Sequence, residues 1–276
     1  MASIFSSDRQ PGQPLQGWNI LTTRPEHLAH RLVEPLRAAG ARAWNLPLLE
    51  LQPLELPAYQ RQWLLDLDHF HGVVIISPSA ATFLLNQLDD YWPQWPVGIN
   101  WFTVGAGSAL TLETAGISAI YPKTGDKSED LLQLPELQEL HGKKLLLVKG
   151  RGGRPLLEET LSARGAKVEV LELYTRLRPR LTLSQLEELQ SGPQQLLVVT
   201  SGEALEHYIE LTGGIELTGG GNKALHLVVP SDRLRRQALA AGFTRVINSE
   251  GAGADAIIKA LEASLPRQPG TGKLHD

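Results

Sequence analysis

The chain has 276 residues, a length that suits two domains which each bury a core of their own. Hydrophobic residues make up 42% and charged residues 20%, which is typical of globular proteins, and the absence of cysteine excludes disulfides, iron–sulfur clusters and thiolate zinc sites. The formal net charge of −4 disfavours a nucleic-acid binder.

The first segment, residues 1–16, is rich in Ser, Gln and Pro and contains no apolar stretch of the kind found in signal peptides. We predict that it is disordered, as is the tail at residues 266–276. The longest run without a charge, from Gly72 to Leu88, is too polar to span a bilayer. We therefore expect a cytoplasmic protein without a membrane partner.

Short apolar runs alternate with amphipathic segments along the rest of the chain. The apolar runs of the first half predict strands at Trp18–Thr22, Ala43–Leu51, Gly72–Ile76, Trp101–Val104 and Ala119–Tyr121. The amphipathic segments predict helices at Arg24–Ala39, Tyr59–Asp68, Ser79–Leu88 and Ala109–Ala115, and a further helix capped by Ser128. This alternation favours parallel sheets covered by helices on both faces.

The second half repeats the pattern of the first, with the Gly-rich Leu211–Asn222 predicted as a mobile surface loop. Three pairs of segments match: Gly17–Pro53 with Gly142–Arg180, Val73–Leu85 with Leu196–Ile209, and Trp101–Pro122 with His226–Asn248. The helix-ending glycines Gly40 and Gly165 coincide in the first pair. The sequence therefore indicates a duplicated α/β unit.

One stretch, Gly142–Arg180, is strongly basic. It contains ten basic and four acidic residues inside a chain of negative net charge. Such a stretch favours a polyanionic ligand. The eight histidines form no zinc motif, and we expect no metal site.

Ligands of parallel sheets bind beyond the carboxyl ends of the strands. Six loops are predicted at those ends, and all are small, hydroxylated or basic: residues 22–24, 77–79, 105–108, 149–154, 200–202 and 230–231. Their backbone N–H groups and helix N-termini suit carboxylates or phosphates. Their hydroxyls are equally typical of helix caps, so the residues alone leave both interpretations open.

Five motifs in order resemble one family. They are TRP at Thr23–Pro25, SPSA at Ser77–Ala80, VGAGSA at Val104–Ala109, KGRGGRPLLEETLSARGAKVEVLELYTR at Lys149–Arg176, and VVTS at Val198–Ser201. Together they are similar to uroporphyrinogen-III synthases, over nearly the whole span from Gly17 to Leu265. The most specific part is KGRGGR followed by LYTR.

The resemblance implies an enzyme that cyclises the linear tetrapyrrole hydroxymethylbilane to uroporphyrinogen III, with loss of water and inversion of ring D. It implies that the enzyme is a monomer and that it uses no metal or organic cofactor. The implied fold is two flavodoxin-like parallel-sheet domains joined by a two-stranded linker, with the active site in the cleft between them. Domain 1 would combine residues 17–51 and 178–265, and domain 2 would span residues 52–177.

The resemblance also implies a site. Tyr174 matches the tyrosine of the family, and its phenol is expected to protonate the departing hydroxyl at the mouth of the cleft. The alternative is a tyrosine with a structural role, whose ring packs against the protein and whose hydroxyl is exposed to solvent. The carboxylates of the substrate would be bound by Arg24, Ser77, Ser79, Gly105, Ser108, Lys149, Arg151, Arg154, Thr200, Ser201, Gly202 and Ser231.

The chain departs from the family pattern at Ser79 and at the turn Val229–Arg233, where only Ser231 is available as a contact. Three other functions stay open. They are a glycosyl- or nucleotide-transferring enzyme that uses KGRGGR as a phosphate loop, a non-enzymatic two-lobed module that binds a polyanionic small molecule, and a nucleic-acid binder.

Overall fold

The structure is a computed structural model, which describes residues 13–212 and 225–266. The chain divides into two compact units, and each is described by itself. Unit 1 is Met1–Glu50 with Leu177–Asp276, and unit 2 is Leu51–Arg176. The chain therefore enters unit 2 after Glu50 and returns to unit 1 after Arg176.

Within the described residues, ten strands form two five-stranded sheets. They are β1 (Asn19–Thr22), β2 (Arg42–Asn45), β3 (Glu50–Pro53), β4 (Gly72–Ile75), β5 (Asn100–Thr103), β6 (Lys144–Gly150), β7 (Lys167–Leu177), β8 (Leu196–Val198), β9 (His226–Val229) and β10 (Val246–Asn248). The sheet of unit 1 has the order β10-β9-β8-β1-β2, and the other sheet has the order β3-β7-β6-β4-β5. Neighbours from β10 to β2 and from β7 to β5 pair in parallel.

Helices connect the strands. They are α1 (Glu26–Ala38), α2 (Ala58–Leu65), α3 (Pro78–Leu88), α4 (Ala106–Glu113), α5 (Ser128–Leu131), α6 (Leu156–Ala163), α7 (Leu183–Ser191), α8 (Gly202–Thr212), α9 (Asp232–Ala240) and α10 (Ala254–Ser264). Single 3-10 turns lie at Leu67–His69 and Pro135–Leu137.

Both faces of each sheet are covered, because successive apolar side chains of a strand point to opposite sides. In unit 1, Ile20 packs with residues of α1 and α10, and the next residue, Leu21, packs with residues of α7, α8 and α9. In unit 2, Val148 packs with α3, and Leu147 packs with α5 and α6. The predicted class, parallel α/β sheets with helices on both faces, is confirmed.

The two units are copies joined in a different chain order. In unit 1, β1 and β2 flank β8, β9 and β10, and in unit 2 the pair β6 and β7 flanks β4 and β5 in the same arrangement. The parallel bridge from Phe102 to Ile120 takes the place of β10. The strand pair β1 and β2 comes first along the chain in unit 1, whereas the equivalent pair β6 and β7 comes last in unit 2. The two repeats are therefore related by a circular permutation.

The registers show how closely the copies match. Asn19 pairs with Arg42, and Lys144 pairs with Lys167, so the two pairs of strands keep the same spacing. Gly40 and Gly165, at φ of 94° and 90°, turn the chain out of α1 and α6 in the same left-handed conformation. The duplication seen in the sequence is therefore present in the structure.

Three predicted elements differ. The single strand expected at Ala43–Leu51 is divided into β2 and β3, which belong to different sheets, and Pro47 lies in the break because it cannot donate to a sheet. Ser128 does not cap α5, since Lys127 precedes the helix and its N–H donates to the Asp130 carboxylate at 3.0 Å. The expected strand at Ala119–Tyr121 is only the bridge at Ile120.

The predicted tails and loop fall mostly outside the described residues. Within the predicted N-terminal tail, residues 13–16 are described, and Leu15 is 1% exposed, with its N–H bonded to the Ala39 carbonyl at 2.9 Å. This part of the tail is packed against unit 1, contrary to the prediction. Of the loop predicted at Leu211–Asn222, Leu211 and Thr212 end α8, and the rest lies outside the described residues.

Candidate functional site

The predicted residues of unit 2 gather at one edge of its sheet. Strands β6, β4 and β5 are parallel neighbours, so their carboxyl ends lie side by side. Ser77 follows β4, Gly105 follows β5, and the basic loop at residues 149–154 begins with the last two residues of β6. This edge is where parallel sheets bind ligands.

Tyr174 reaches that edge through an irregularity in β7. Before it, Leu171 packs on the face of β7 toward α3, and Val170 packs on the opposite face. The pairing then shifts by one residue, from Lys149 with Glu172 to Gly150 with Tyr174. The extra residue turns Tyr174 toward α3, which is the usual effect of a β-bulge.

The side chain of Tyr174 is enclosed. It is 1% exposed, its ring stacks on Phe83 with centroids 5.0 Å apart, and the Arg176 guanidinium lies 5.6 Å from the ring centroid. A methyl group on Gly150 would lie 2.5 Å from the ring, so the second residue of KGRGGR is glycine because the ring lies against it. The ring is packed, as in the alternative interpretation, but the phenol is enclosed, and the expected role of Tyr174 as the acid stays a prediction.

The phenol of Tyr174 has a specific partner. Its Oη lies 3.1 Å from Ser77 Oγ, and Ser77 Oγ also accepts the Ala80 N–H at 3.0 Å as the cap of α3. Ser77 itself is half-buried, whereas Ser79 is buried in the first turn of α3. The structure therefore brings Ser77 and Tyr174 together and leaves the Ser79 side chain within the protein.

The loop after β5 presents backbone groups to a ligand, but the Ser108 hydroxyl is not at its surface. Gly105 caps α4 in an extended conformation, and its carbonyl accepts the Ser108 N–H at 3.1 Å. Ser108 is 3% exposed inside α4, so its side chain lies within the unit, and the expected contact from its hydroxyl stays a prediction. Helix α4 begins at Ala106, three residues before the predicted start at Ala109.

Acidic residues accompany the basic loop, and the sequence analysis missed them. Glu172 lies 3.6 Å from Arg151 and accepts the Gly152 N–H at 3.2 Å. Glu129 accepts two hydrogen bonds from Arg154, at 2.6 and 3.2 Å. The hydrogen bond from Arg154 lowers the pKa of Glu129, and the same bond raises the pKa of Arg154.

Lys149 differs from both arginines. It is 7% exposed, and within the described residues its amine has no carboxylate at ion-pair distance. Because its amine is not committed to a carboxylate, it is available to pair with an anion bound at this edge. Lys149 thus fits an anion site better than the two paired arginines.

The predicted residues of unit 1 lie at the carboxyl edge of its own sheet. Ser201 caps α8 by accepting the Ala204 N–H at 3.1 Å, and Ser231 caps α9 by accepting the Leu234 N–H at 3.4 Å. Thr200 and Gly202 flank the first cap and are half-buried. Capping and ligand binding both remain possible here, because a capping oxygen keeps its own proton to donate.

Arg24 serves the framework of unit 1. Its guanidinium donates to the Ala252 carbonyl, and its N–H donates to Asn45 Oδ1 at 3.1 Å. Burial, followed by repulsion from Arg31, lowers its pKa. The neighbouring Thr23 donates to the Val198 carbonyl at 3.1 Å, so the TRP motif ties β1 to β8.

A cavity of about 350 Å³ lies elsewhere, at the amino ends of β2 and β8. Its lining contains none of the predicted site residues and consists of Arg37, Ala41, Arg42, Ala43, Trp44, Glu188 and Pro193. The cavity is therefore separate from the carboxyl edge at which the motifs gather.

Across residues 13–212 and 225–266, no helix is both long and apolar enough to cross a bilayer. The same ranges hold no group of three or more His, Asp or Glu residues arranged to bind a metal ion.

Comparison with known proteins places these motifs in a family. The family model described as uroporphyrinogen-III synthase HemD matches residues 30–259. A curated uroporphyrinogen-III synthase from Escherichia coli is 36% identical over 249 residues, covering 88% of this chain and 100% of the relative. The enzyme of that name from Salmonella typhimurium is 37% identical over 247 residues, with the same coverage.

Solved structures support the fold. A uroporphyrinogen-III synthetase from Helicobacter pylori superposes with a TM-score of 0.59 at 15% identity, covering 90% of this chain and 100% of that one. A mutant uroporphyrinogen III synthase from Thermus thermophilus gives a TM-score of 0.53 at 16% identity, covering 90% and 98%.

Proposed function

Because the chain belongs to the HemD family of uroporphyrinogen-III synthases, we propose that it cyclises hydroxymethylbilane to uroporphyrinogen III, with loss of water and inversion of ring D. The observation that carries this function is the 36% identity with the Escherichia coli enzyme over that relative's whole length. The alternative of a non-enzymatic binding module accounts for the fold but not for this match.

We propose that the substrate is bound by many distributed donors, because it is a flexible chain with eight carboxylates. In unit 2 these donors are the backbone at Ser77 and at Gly105 and the Lys149 amine, with Arg151 and Arg154 at the exposed rim. In unit 1 they are Thr200, Ser201, Gly202 and Ser231 at the starts of α8 and α9. The positive N-terminal ends of these helices favour carboxylates.

Tyr174 is the proposed source of the proton that leaves with the hydroxyl. It lies at the carboxyl edge with its phenol bonded to Ser77. Phenols are weak acids, with a pKa of about 10, so we expect their loss to slow the reaction without abolishing it. Positioning of the flexible substrate supplies the larger part of the rate.

The test is incubation with freshly prepared hydroxymethylbilane, followed by oxidation and separation of the porphyrin isomers. We expect predominantly the type III isomer, whereas the uncatalysed closure gives type I. A mixture identical to the enzyme-free control would overturn the proposed function. Activity should survive exhaustive chelation, and a loss that zinc or magnesium restores would reveal a metal requirement.

We further propose that the enzyme acts as a monomer in the cytoplasm. Light scattering over a range of micromolar concentrations tests the first point, and cell fractionation tests the second. A mass of twice the 30.2 kDa of the chain would contradict the monomer.

A further inference from the structure

The phenol of Tyr174 cannot reach a substrate directly. The side chain is 1% exposed, one side of its ring is covered by Phe83, and its edge lies against Gly150. The polar neighbour that the structure gives to its hydroxyl is Ser77 Oγ, at 3.1 Å. A proton from Tyr174 must therefore pass through Ser77 to leave this pocket.

Ser77 has the hydrogen-bonding capacity for that transfer. A hydroxyl accepts up to two hydrogen bonds and donates one. Ser77 Oγ accepts the Ala80 N–H at 3.0 Å, and when it also accepts the Tyr174 phenol, both of its lone pairs are occupied. Its own proton is then left to donate outward from the carboxyl end of β4.

We propose that Ser77 is the catalytic residue that protonates the departing hydroxyl and that Tyr174 is a positioning residue acting through it. This inference rests on the function proposed above. As the carbon–oxygen bond breaks, its electron pair leaves with the oxygen, which takes the proton of Ser77 and departs as water. Ser77 takes the proton of Tyr174 in the same movement. The phenolate recovers a proton when ring D loses one on closure of the macrocycle.

The pairing of two hydroxyls has a chemical reason. A serine alone is a poorer acid than a phenol, so a proton given up by Ser77 must be replaced at once. Phenols as a class are stronger acids than aliphatic alcohols, because the ring delocalises the negative charge that remains.

A double-mutant cycle on turnover tests the relay. We expect Tyr174→Phe and Ser77→Ala each to lower kcat by about 10- to 1,000-fold, with KM near the wild-type value. The double variant should be no slower than the slower single variant, because both changes remove the same proton path. The residual product should still be type III, since the loops that position the substrate are intact.

Control variants distinguish the loss of proton transfer through Ser77 from the loss of its N-cap on α3. Ser77→Ala also removes the cap of α3, so Thr182→Ala, which removes the cap of α7, should lower the melting temperature by a similar amount and leave kcat unchanged. Ser77→Gly keeps a residue suited to a helix start but has no hydroxyl, and it should be as slow as Ser77→Ala. Ser77→Thr keeps both the hydroxyl and the cap and should retain most of the turnover.

Two results would overturn the relay while leaving the proposed function standing. One is a Ser77→Gly enzyme with kcat within about twofold of wild type. The other is a double variant whose loss is the product of the two single losses, because independent roles multiply. A wild-type protein that makes no type III isomer would instead remove the function on which the relay rests.

Discussion

At the scale of single residues, the contact between Gly150 and Tyr174 makes the basic loop dependent on the tyrosine. A β-carbon at residue 150 would lie 2.5 and 2.6 Å from two ring carbons and 3.0 Å from the phenol oxygen. Real atoms do not approach so closely, so either the ring or the strand must move.

We expect Gly150→Ala to destabilise the protein by about 1–3 kcal/mol, as overpacking of a buried site does. It should also lower kcat, because the displaced phenol loses its bond to Ser77. Urea denaturation and steady-state kinetics measure the two effects. Gly253→Ala is the matched control, since its added methyl meets no atom within 4 Å. Equal behaviour of the two variants would contradict the close packing of the tyrosine.

The pair of Arg154 and Glu129 sets the charge available to a substrate. If Arg154 binds a substrate carboxylate, Glu129 competes with the substrate for the Arg154 guanidinium. Glu129→Gln should therefore lower KM a few fold, and Arg154→Ala should raise KM. Both side chains are exposed, so the effects should shrink as salt rises above about 0.15 M. Kinetics at two salt concentrations measure this. An Arg154→Ala enzyme with unchanged KM at low salt would remove this arginine from the site.

At the scale of elements, α7 depends on its first residues. Thr182 Oγ1 accepts the Gln185 N–H at 3.3 Å, and the Gln185 side chain accepts the Thr182 N–H at 2.9 Å, which is a capping box. We expect Thr182→Ala to cost about 1 kcal/mol of stability in urea denaturation. Ser184→Ala, two residues further along the chain, should cost less. A Thr182→Ala protein as stable as wild type would show that α7 does not need the cap.

The sequence predicts elements well where a local signal determines them. The alignment of Gly40 with Gly165 located two helix ends, because only a residue that tolerates positive φ suits that turn. The same approach failed at Ala43–Leu51, where apolar residues continue beyond the end of β2. Pro47 is a local sign that strand pairing stops there, but it does not show that the chain continues in a different sheet.

In the candidate site, too, features set by local sequence could be predicted, whereas features set by distant pairing could not. The basic loop and the capping serines could be located from their place after apolar strands. The burial of Tyr174 could not, because it follows from a one-residue shift between β6 and β7 that depends on pairing with a distant segment. Glu129 was missed for a similar reason, since 25 residues separate it from Arg154.

At the scale of the whole molecule, half-buried histidines link stability to pH. Burial lowers the pKa of His27 and of His226, and nearby Arg31 and Arg245 lower them further. The unfolded chain then takes up protons that the folded protein resists. The stability from these groups is complete above the unfolded pKa of about 6.5 and is lost as pH falls toward the lowered values.

We therefore expect the melting temperature to fall between about pH 7.5 and pH 5.5 in calorimetry. His226→Gln should make the fall smaller, whereas the exposed His69→Gln should leave it unchanged. A melting temperature that rises on acidification across this range would contradict the assignment of these histidines as neutral in the folded state.

The two units also differ in whether they are continuous in the chain. Unit 2 is the single stretch Leu51–Arg176, with its own two-faced core. We expect a fragment of residues 51–176 to unfold cooperatively on its own, measured by circular dichroism in urea, and a fragment of residues 1–50 to remain unfolded. A fragment 51–176 without a cooperative transition would show that unit 2 depends on unit 1.

The circular permutation of the repeat sets an order of events during translation. Strand β1 leaves the ribosome first, yet its neighbour β8 is among the last strands made, and the bond from the Asn19 N–H to Gln195 closes 176 residues of chain. Unit 2 is complete before β8 is synthesised, so it can fold while residues 19–45 are still waiting. The nascent enzyme therefore carries β1 without its neighbour β8 for most of its synthesis, and in this interval the open edge of β1 is exposed to misassembly or to a chaperone.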